Sequence, residues 1–530
     1  MTEFVTGRAR ADKTAEIFRR INGSEDGRET LLIVPDQFSF DTEIAIYRNV
    51  EKTKLLNVSV TTFSKLAEKI IALYSAKKDY ADDIVKKLIM FRTLKNLKGS
   101  LDYYERHIEK PQFPSFMLDV VASLKSGGIT PRDLRRLVED DEEMKQSLSS
   151  KLSDIYQIYD GYNEELEKTF ADRLDDIMKA VVLAEENDFF KGKNVYFDSF
   201  ESFSGNQLAF VKTVMETAAE CVITLTTDFE DGSEQCFFAA NKLIARLSGC
   251  GGKSKVTSVP ETRPEPSARL IVEAPDVQSE CRWTAAEINR LAAEEGYRYK
   301  EIAVLCGSGE YPRELESMFR KYNVPAFIDI PQSIAEKPIA RFVLFILDAL
   351  SFETESILRY IKTNLVYIDG ADKDGNPKRV RLSRRKINDI ERFARKWNIS
   401  PREWTKPFPK RNETRFVEEL RKGIVTPLAE LKERIDGKTG DVITRELCSF
   451  LMDEDKMNIT SSIYGLCKSN REESTDKLIF DKEKVDEYRQ LWEAIVSVLQ
   501  SVYVGLEGYR VSLDDYRKLL GEIFAETTVA

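Results

Sequence analysis

Histidine is almost missing from this 530-residue chain, His107 being the only one. It sits in a charged stretch, Tyr104-Glu105-Arg106-His107, so histidine-based triads and His-rich metal sites are nearly excluded. Cysteine is sparse and scattered. Cys221, Cys236, Cys250, Cys281, Cys306, Cys448 and Cys467 form no C-x-x-C pair, and seven is an odd number, which fits reduced thiols better than a disulfide framework or a zinc site. No run approaches the ~18 apolar residues of a membrane span, and the N-terminus lacks the basic region and apolar core of a secretory leader. The expectation is a soluble, cytoplasmic chain. An excess of positive charge is missing too: 80 Lys and Arg stand against 90 Asp and Glu, a net charge of −10. That argues against a generally basic nucleic-acid binder but not against a local cationic channel, because phosphate contacts depend on where Lys and Arg lie.

What is present begins at the first residues. A β-type run, Glu3 to Thr6, flows into Gly7-Arg8-Ala9-Arg10-Ala11-Asp12-Lys13-Thr14 and then an amphipathic segment, Ala15 to Arg20. This is the layout of a phosphate-binding loop, which needs glycine just before its lysine so that bare N–H groups at a helix N-terminus wrap the phosphate. Here that position is Asp12, whose carboxylate adds like-charge repulsion where positive potential is required. Lys13 and Thr14 read as remnants that do not support hydrolysis. A plain strand-to-helix turn and weak residual ATP/Mg binding both remain open.

The length predicts roughly three or four folding units. Short β-type runs at Thr30–Val34 and Val58–Thr62, each followed by helical periodicity, predict α/β layering with parallel strands. From about Ala76 to Lys191 the apolar residues recur near the helical period, which predicts an all-helical insertion. Runs at Asn194–Asp198 and Cys221–Leu225 resume the α/β layer, and Ser248 to Pro266 reads as a linker or surface loop. A second α/β unit is expected from strands at Ala268–Val272, Glu301–Leu305 and Ala326–Ile328, with helices between them. After Pro338 the pattern is mostly helical, with loops at Asp369–Pro377 and near Pro401–Pro409. The stretch Ser248-Gly249-Cys250-Gly251-Gly252-Lys253-Ser254 ends like a phosphate-binding loop, but its first glycine position is Leu247 and no helix start follows, so it reads as a flexible loop.

Strand, loop and helix at Glu3–Arg20, followed by Leu31-Leu32-Ile33-Val34-Pro35-Asp36-Gln37-Phe38-Ser39-Phe40 and Val60-Thr61-Thr62-Phe63-Ser64-Lys65-Leu66-Ala67, resemble the AddB/RexB subunit of bacterial AddAB-type helicase–nucleases. Asn194-Val195-Tyr196-Phe197-Asp198-Ser199-Phe200 resembles that family's degenerate Walker B strand, and Tyr297–Leu305 with Val324–Asp329 its second helicase-like domain. The resemblance implies an α/β fold of RecA-like P-loop, superfamily 1 helicase-like domains with large all-helical insertions. On that frame residues 1–75 and 192–266 form the first RecA-like domain with its linker, 76–191 a helical insertion, 267–337 the first part of a second RecA-like domain, and 338–530 a mostly helical subdomain. It also implies an inactivated partner of an AddA-type motor subunit, one that scans single-stranded DNA in double-strand-break repair and recombination and has double-stranded DNA as a further partner, the helical subdomain after Pro338 contacting either the duplex or the motor. The family's C-terminal nuclease carries an iron–sulfur cluster. This sequence has neither cysteines of that spacing nor the nuclease's aspartate and lysine motifs, so the expectation is an N-terminal fragment or natural truncation, without cluster or cleavage.

A Walker B strand needs an aspartate for Mg²⁺ and, in active helicases, a following glutamate that orients water. Asp198 is present, but Ser199 stands in the glutamate position. Gly7, Lys13, Thr14 and Asp198 are therefore the degenerate nucleotide set. For DNA the resemblance points to Gln37, Ser39, Phe63 and Lys65, with Phe200 and Phe203 as further stacking candidates; ordinary core packing is the competing reading of these aromatics. Lys65 stands where the family usually has arginine, and Glu68 where it often has an aromatic, which weakens a hotspot-reading role. The densest cationic run, Lys378 to Lys386, would follow a phosphate backbone, dock an acidic partner or form a solvated helix face. Two other readings stay open: an active superfamily 1 ATPase, and an assembly scaffold without DNA contact.

Overall fold

The structure is a computed structural model. It describes residues 2–453 and 482–529, apart from 25–26, 77, 141–145, 229–234, 251–253, 263–269, 308–310, 329–331, 372–376 and 409–413, together with 457, 459 and 463. The chain divides into two compact units, Met1–Ser267 and Ala268–Ala530.

The first unit is built on a six-stranded parallel sheet of β1 (Thr2–Gly7), β2 (Thr30–Ile33), β3 (Val58–Thr61), β4 (Asn194–Phe197), β5 (Glu220–Thr226) and β6 (Ser254–Ser258), in the order β3-β2-β4-β5-β1-β6. Side chains alternate between its faces. Phe4, Leu31, Ile33, Val195, Phe197, Cys221 and Ile223 enter one core. Val5, Leu32, Val34, Tyr196 and Val222 enter the other. Both faces are covered, which is why these strands read as nearly continuous apolar runs. Helices α1 (Lys13–Gly23) and α2 (Ser39–Asn49) lie on the second face, and α3 (Phe63–Tyr74) contributes Phe63, Leu66, Ala67 and Ile70 to the first.

The insertion is helical: α4 (Asp83–Asn96), α5 (Phe113–Ser126), α6 (Pro131–Asp140) and α7 (Gln146–Glu167) share a separate core that runs from Ala81 to Leu166. Buried Lys125 is paired there with Asp172 at 3.0 Å and Asp175 at 2.8 Å. Helix α8 (Asp176–Glu186) returns to the sheet, placing Ala180, Val181 and Ala184 beside α3 and α9 (Gly205–Thr217). Helix α10 (Phe238–Ser248) then leads to β6. The stretch expected to be linker thus contains an edge strand: Lys255, Thr257 and the two flanking serines give it a polar look, yet it pairs along β1. In the loop resembling a second phosphate site, Gly251, Gly252 and Lys253 lie outside the described residues.

In the second unit, α11 (Val277–Glu294) and α12 (Tyr311–Tyr322) pack through Cys281, Ala285, Ile288, Leu315, Met318 and Phe319. The three expected strands are not formed. Ala268 and Arg269 lie outside the described residues, and Leu270–Val272, Ile302–Leu305 and Ala326–Ile328 run as coil with no ladder partner among the described residues. Leu305 is 97% exposed and Phe327 94%. A cavity of about 780 Å³ lies between Ile302–Cys306 and Val324–Ile328, floored by Ile288, Leu315 and Phe319. Apolar β-branched composition favours a strand only where a neighbour supplies the ladder, and here none does. Beyond it, β7 (Gln332–Ser333) precedes α13 (Pro338–Ala349) and α14 (Thr354–Lys362). A hairpin, β8 (Tyr367–Ala371) with β9 (Pro377–Arg381), takes in the ends of the expected loop, whose middle, 372–376, lies outside the described residues. Helices α15 (Arg384–Trp397), α16 (Pro401–Trp404), α17 (Thr414–Ile435), α18 (Gly440–Met452), α19 (Lys482–Gly505) and α20 (Leu513–Glu526) follow, and β10 (Thr528–Val529) pairs back antiparallel to β7.

Candidate nucleotide and nucleic-acid site

Every strand that precedes a candidate residue ends at the same edge of the first sheet, because all six run parallel. The loops after β1, β2, β3 and β4 therefore bring Lys13, Gln37, Lys65 and Asp198 to one rim, the edge where open α/β sheets hold ligands.

The β1–α1 loop closes tightly. A Cβ on Gly7 would lie 2.7 Å from the Ala11 Cβ and 2.9 Å from the Val259 carbonyl oxygen, so only glycine fits. Asp12 is the N-cap of α1, its carboxylate accepting from the Ala15 backbone N–H at 3.0 Å. The Lys13 ammonium donates to the carbonyls of Gly7 and Arg8, both at 3.3 Å. The far side of the loop is tied down: Arg10 pairs with Glu261, and the Thr262 N–H donates to the Arg10 carbonyl at 3.1 Å. As placed, the loop presents a carboxylate where a phosphate-binding loop presents bare N–H groups. The residues do not fit a triphosphate. The sequence showed the charge of Asp12 but not that its side chain already fills the anion position at the helix start.

The Walker B-like aspartate is 2% exposed, and both its carboxylate oxygens are hydrogen-bonded. Thr14 Oγ1 donates to Asp198 Oδ2 at 2.7 Å, and Thr224 Oγ1 donates to Oδ1 at 2.5 Å. Ser199 adopts a left-handed backbone conformation, φ 64°, with its N–H on Thr224 Oγ1 at 3.2 Å and its hydroxyl turned toward Asp198. It offers no carboxylate to a water. Asp228, just past β5, escaped sequence reasoning. It is buried, no hydrogen bond reaches either oxygen among the described residues, and the Arg8 guanidinium stands 3.5 Å away. Only its position after β5, at the same sheet edge as Asp198, could have marked it.

The DNA-directed residues separate into two groups. Gln37 and Lys65 are exposed and Ser39 is half-buried at the start of α2. Phe63 is 4% exposed and sits at the centre of an aromatic cluster, with ring centroids 5.7 Å from Phe197, 5.4 Å from Phe200, 6.0 Å from Phe203 and 5.5 Å from Phe210. Phe63 and Phe200 are core residues with no face left for a base, and half-buried Phe203 packs on the same cluster. Base stacking by Phe63 and Phe200 is thereby corrected to core packing: the alternation of β3 into α3 turns Phe63 inward. The exposed aromatics nearest this rim are Phe38 and, in the first turn of α2, Phe40, 70% exposed; Tyr47, 76% exposed, lies farther along α2. Among the described residues no group of three or more His, Cys, Asp or Glu side chains is arranged to hold a metal ion, and no helix is long and apolar enough to cross a membrane.

The family model "ADDB, N-terminal" matches residues 4–271, half of the chain. The chain belongs to the AddB family. Curated proteins similar to it are named as the B-type component of an ATP-dependent helicase/deoxyribonuclease. That of Clostridium novyi (strain NT) is 24% identical over 98% of this chain and 47% of its own length. The Clostridium tetani (strain Massachusetts / E88) relative is 24% identical over 94% of this chain and 47% of its own. The Bacillus thuringiensis (strain Al Hakam) relative is 23% identical over 98% and 48%. The chain spans about half the length of the curated relatives it matches. The α/β fold with a parallel sheet and helical insertion is the one this family membership implies.

Proposed function

We propose that this AddB-family chain is the helicase-like part of a helicase–nuclease subunit in DNA double-strand-break processing, that it binds single-stranded DNA and docks on an AddA-type motor subunit, and that it does not turn over ATP. The observation that carries the inactive half is Asp12 capping α1: the carboxylate takes the place of the phosphate and the helix dipole is already neutralised. Ser199 in place of a water-orienting glutamate supports the same reading. The DNA half is supported by Gln37, Ser39 and Lys65 sharing one sheet edge, where an amide, a hydroxyl and a cation meet base edges and phosphates. Docking is supported by α2, which exposes Phe40 and Tyr47 seven residues apart on one face with Asp41, Glu43 and Arg48 around them, aromatic anchors with a charged rim suited to a partner surface.

The test is fluorescence anisotropy of a labelled single-stranded oligonucleotide, with wild type beside Gln37→Ala/Lys65→Ala. Salt-sensitive binding that weakens about tenfold in the folded variant is expected, each lost polar contact being worth ~1–3 kcal/mol at most. Absence of wild-type binding at low salt would leave assembly without DNA contact as the better reading.

A further inference from the structure

The most basic stretch of the sequence, Lys378 to Lys386, ends in the first turn of α15 in the second unit. Helix α15 buries Ile387, Ile390, Phe393 and Ala394. At the helical period of ~3.6 residues, Arg384, Asn388 and Arg392 stack on the opposite face with Arg385 beside them. Arg384, Arg385 and Arg392 are exposed, and among the described residues none of their guanidinium groups takes part in an ion pair or side-chain hydrogen bond. The cations flanking this face are engaged. Lys362 pairs with Glu391 at 2.7 Å, and Arg395 pairs with Glu391 and Glu355, both at 3.1 Å.

Two of the three arginines also stand where they weaken the helix. Cations in a first turn face the positive end of the helix dipole, at about 0.3–1 kcal/mol each, where Asp or Glu would stabilise. Helix stability therefore does not account for them, whereas an anion lying along the face does. Arginine's planar fork holds phosphate oxygens in pairs, and Arg384 to Arg392 spans roughly 12 Å of helix, long enough to meet several phosphates of a duplex that carries one charge per ~1.7 Å. The face presents no aromatic side chain: Phe393 is buried and Trp397 lies off it. Single strands are held largely by stacking, so the chemistry favours a double-stranded backbone.

We infer that the Arg384–Arg385–Arg392 face of α15 is a binding surface for the phosphate backbone of double-stranded DNA. It rests on the DNA-binding reading above but concerns a different unit and a different DNA form. The face reads no sequence, since backbone contacts position without specifying.

The experiment uses the full chain and a labelled duplex without single-stranded ends, comparing wild type with Arg384→Ala/Arg385→Ala/Arg392→Ala across a salt series, circular dichroism confirming the fold. With about 0.9 counterions released per phosphate contact, a fourfold rise in salt should cost wild type on the order of 40-fold more affinity than the variant. The triple lysine variant should keep the wild-type salt slope. A folded alanine variant with wild-type affinity and slope overturns the inference and assigns the patch to an acidic protein surface or to solvent. Wild type that holds the single-stranded oligonucleotide but no duplex overturns this inference alone. Failure to bind either form removes both readings.

Discussion

The Thr14 hydroxyl donates a hydrogen bond to Asp198 across 2.7 Å, joining the first turn of α1 to the loop after β4 over the intervening strand β5. These are the two groups that hold Mg²⁺ in working P-loop enzymes. Here they hold each other, and the neighbouring Asp12 closes the helix N-terminus that would have met the phosphates.

Asp12 is thus expected to contribute to stability and to oppose phosphate. Asp12→Ala should lower the unfolding free energy by about 1 kcal/mol through loss of the cap, and Asp12→Gly by only a few tenths. Asp12→Gly should also bind a fluorescent ATP analogue more tightly than wild type does, without hydrolysis, because Ser199 is unchanged. Tight analogue binding by wild type would contradict the capped-loop reading.

Phe63→Ala should cost about 3–5 kcal/mol in urea unfolding, the range for a large aromatic removed from a core. Phe40→Ala, on an exposed ring, should stay within about 0.5 kcal/mol. A mild effect of Phe63→Ala on stability with a large effect on oligonucleotide binding would restore the stacking role for this ring.

Stability should fall in acid through Glu3. The Arg20 guanidinium, bonded to both its oxygens at 2.8 Å, holds the Glu3 carboxyl down to about 2 from the ordinary 4.5, against the opposing effect of burial and with help from Thr257. A carboxyl depressed in the folded state contributes stability that is fully present above its unfolded value and is lost as pH falls toward 2. The contribution is roughly 2–3 kcal/mol. Glu3→Gln should therefore flatten this part of the acid limb of a pH–stability curve, and an unchanged limb would show that the pair contributes nothing.

Lys125 is 1% exposed between Asp172 and Asp175. Lys125→Met leaves the buried Asp172 carboxylate with Lys86 at 3.3 Å as its remaining cation, beside the Leu174 N–H at 3.2 Å, and should destabilise by about 3 kcal/mol. Lys191→Ala, which removes a solvent-exposed pair with Asp188, should leave the unfolding midpoint essentially unchanged. Equal effects from the two would contradict the burial argument.

Much of the first unit was legible because a parallel strand covered on both faces leaves an unmistakable apolar run, as in Leu31–Val34 and Val195–Phe197. The nucleotide motif was legible as a pattern of residue types, and so were its departures at Asp12 and Ser199. Three things were not legible. Strand β6 is an edge with mostly polar side chains, so nothing in Ser254–Ser258 sets it apart from loop. The orientation of Phe63 depends on how β3 turns into α3, which composition does not encode. Ile302–Leu305 and Ala326–Ile328 carry strand composition, but strand formation depends on neighbours that local sequence cannot supply.

The most direct test of the central claim is phosphate release from ATP by the full chain, with and without single-stranded DNA, for wild type and Lys13→Ala. The expected result is no DNA-stimulated release by either protein. DNA-stimulated turnover by wild type that disappears in Lys13→Ala would contradict it, because a lysine held by the carbonyls of Gly7 and Arg8 would then be reaching a phosphate.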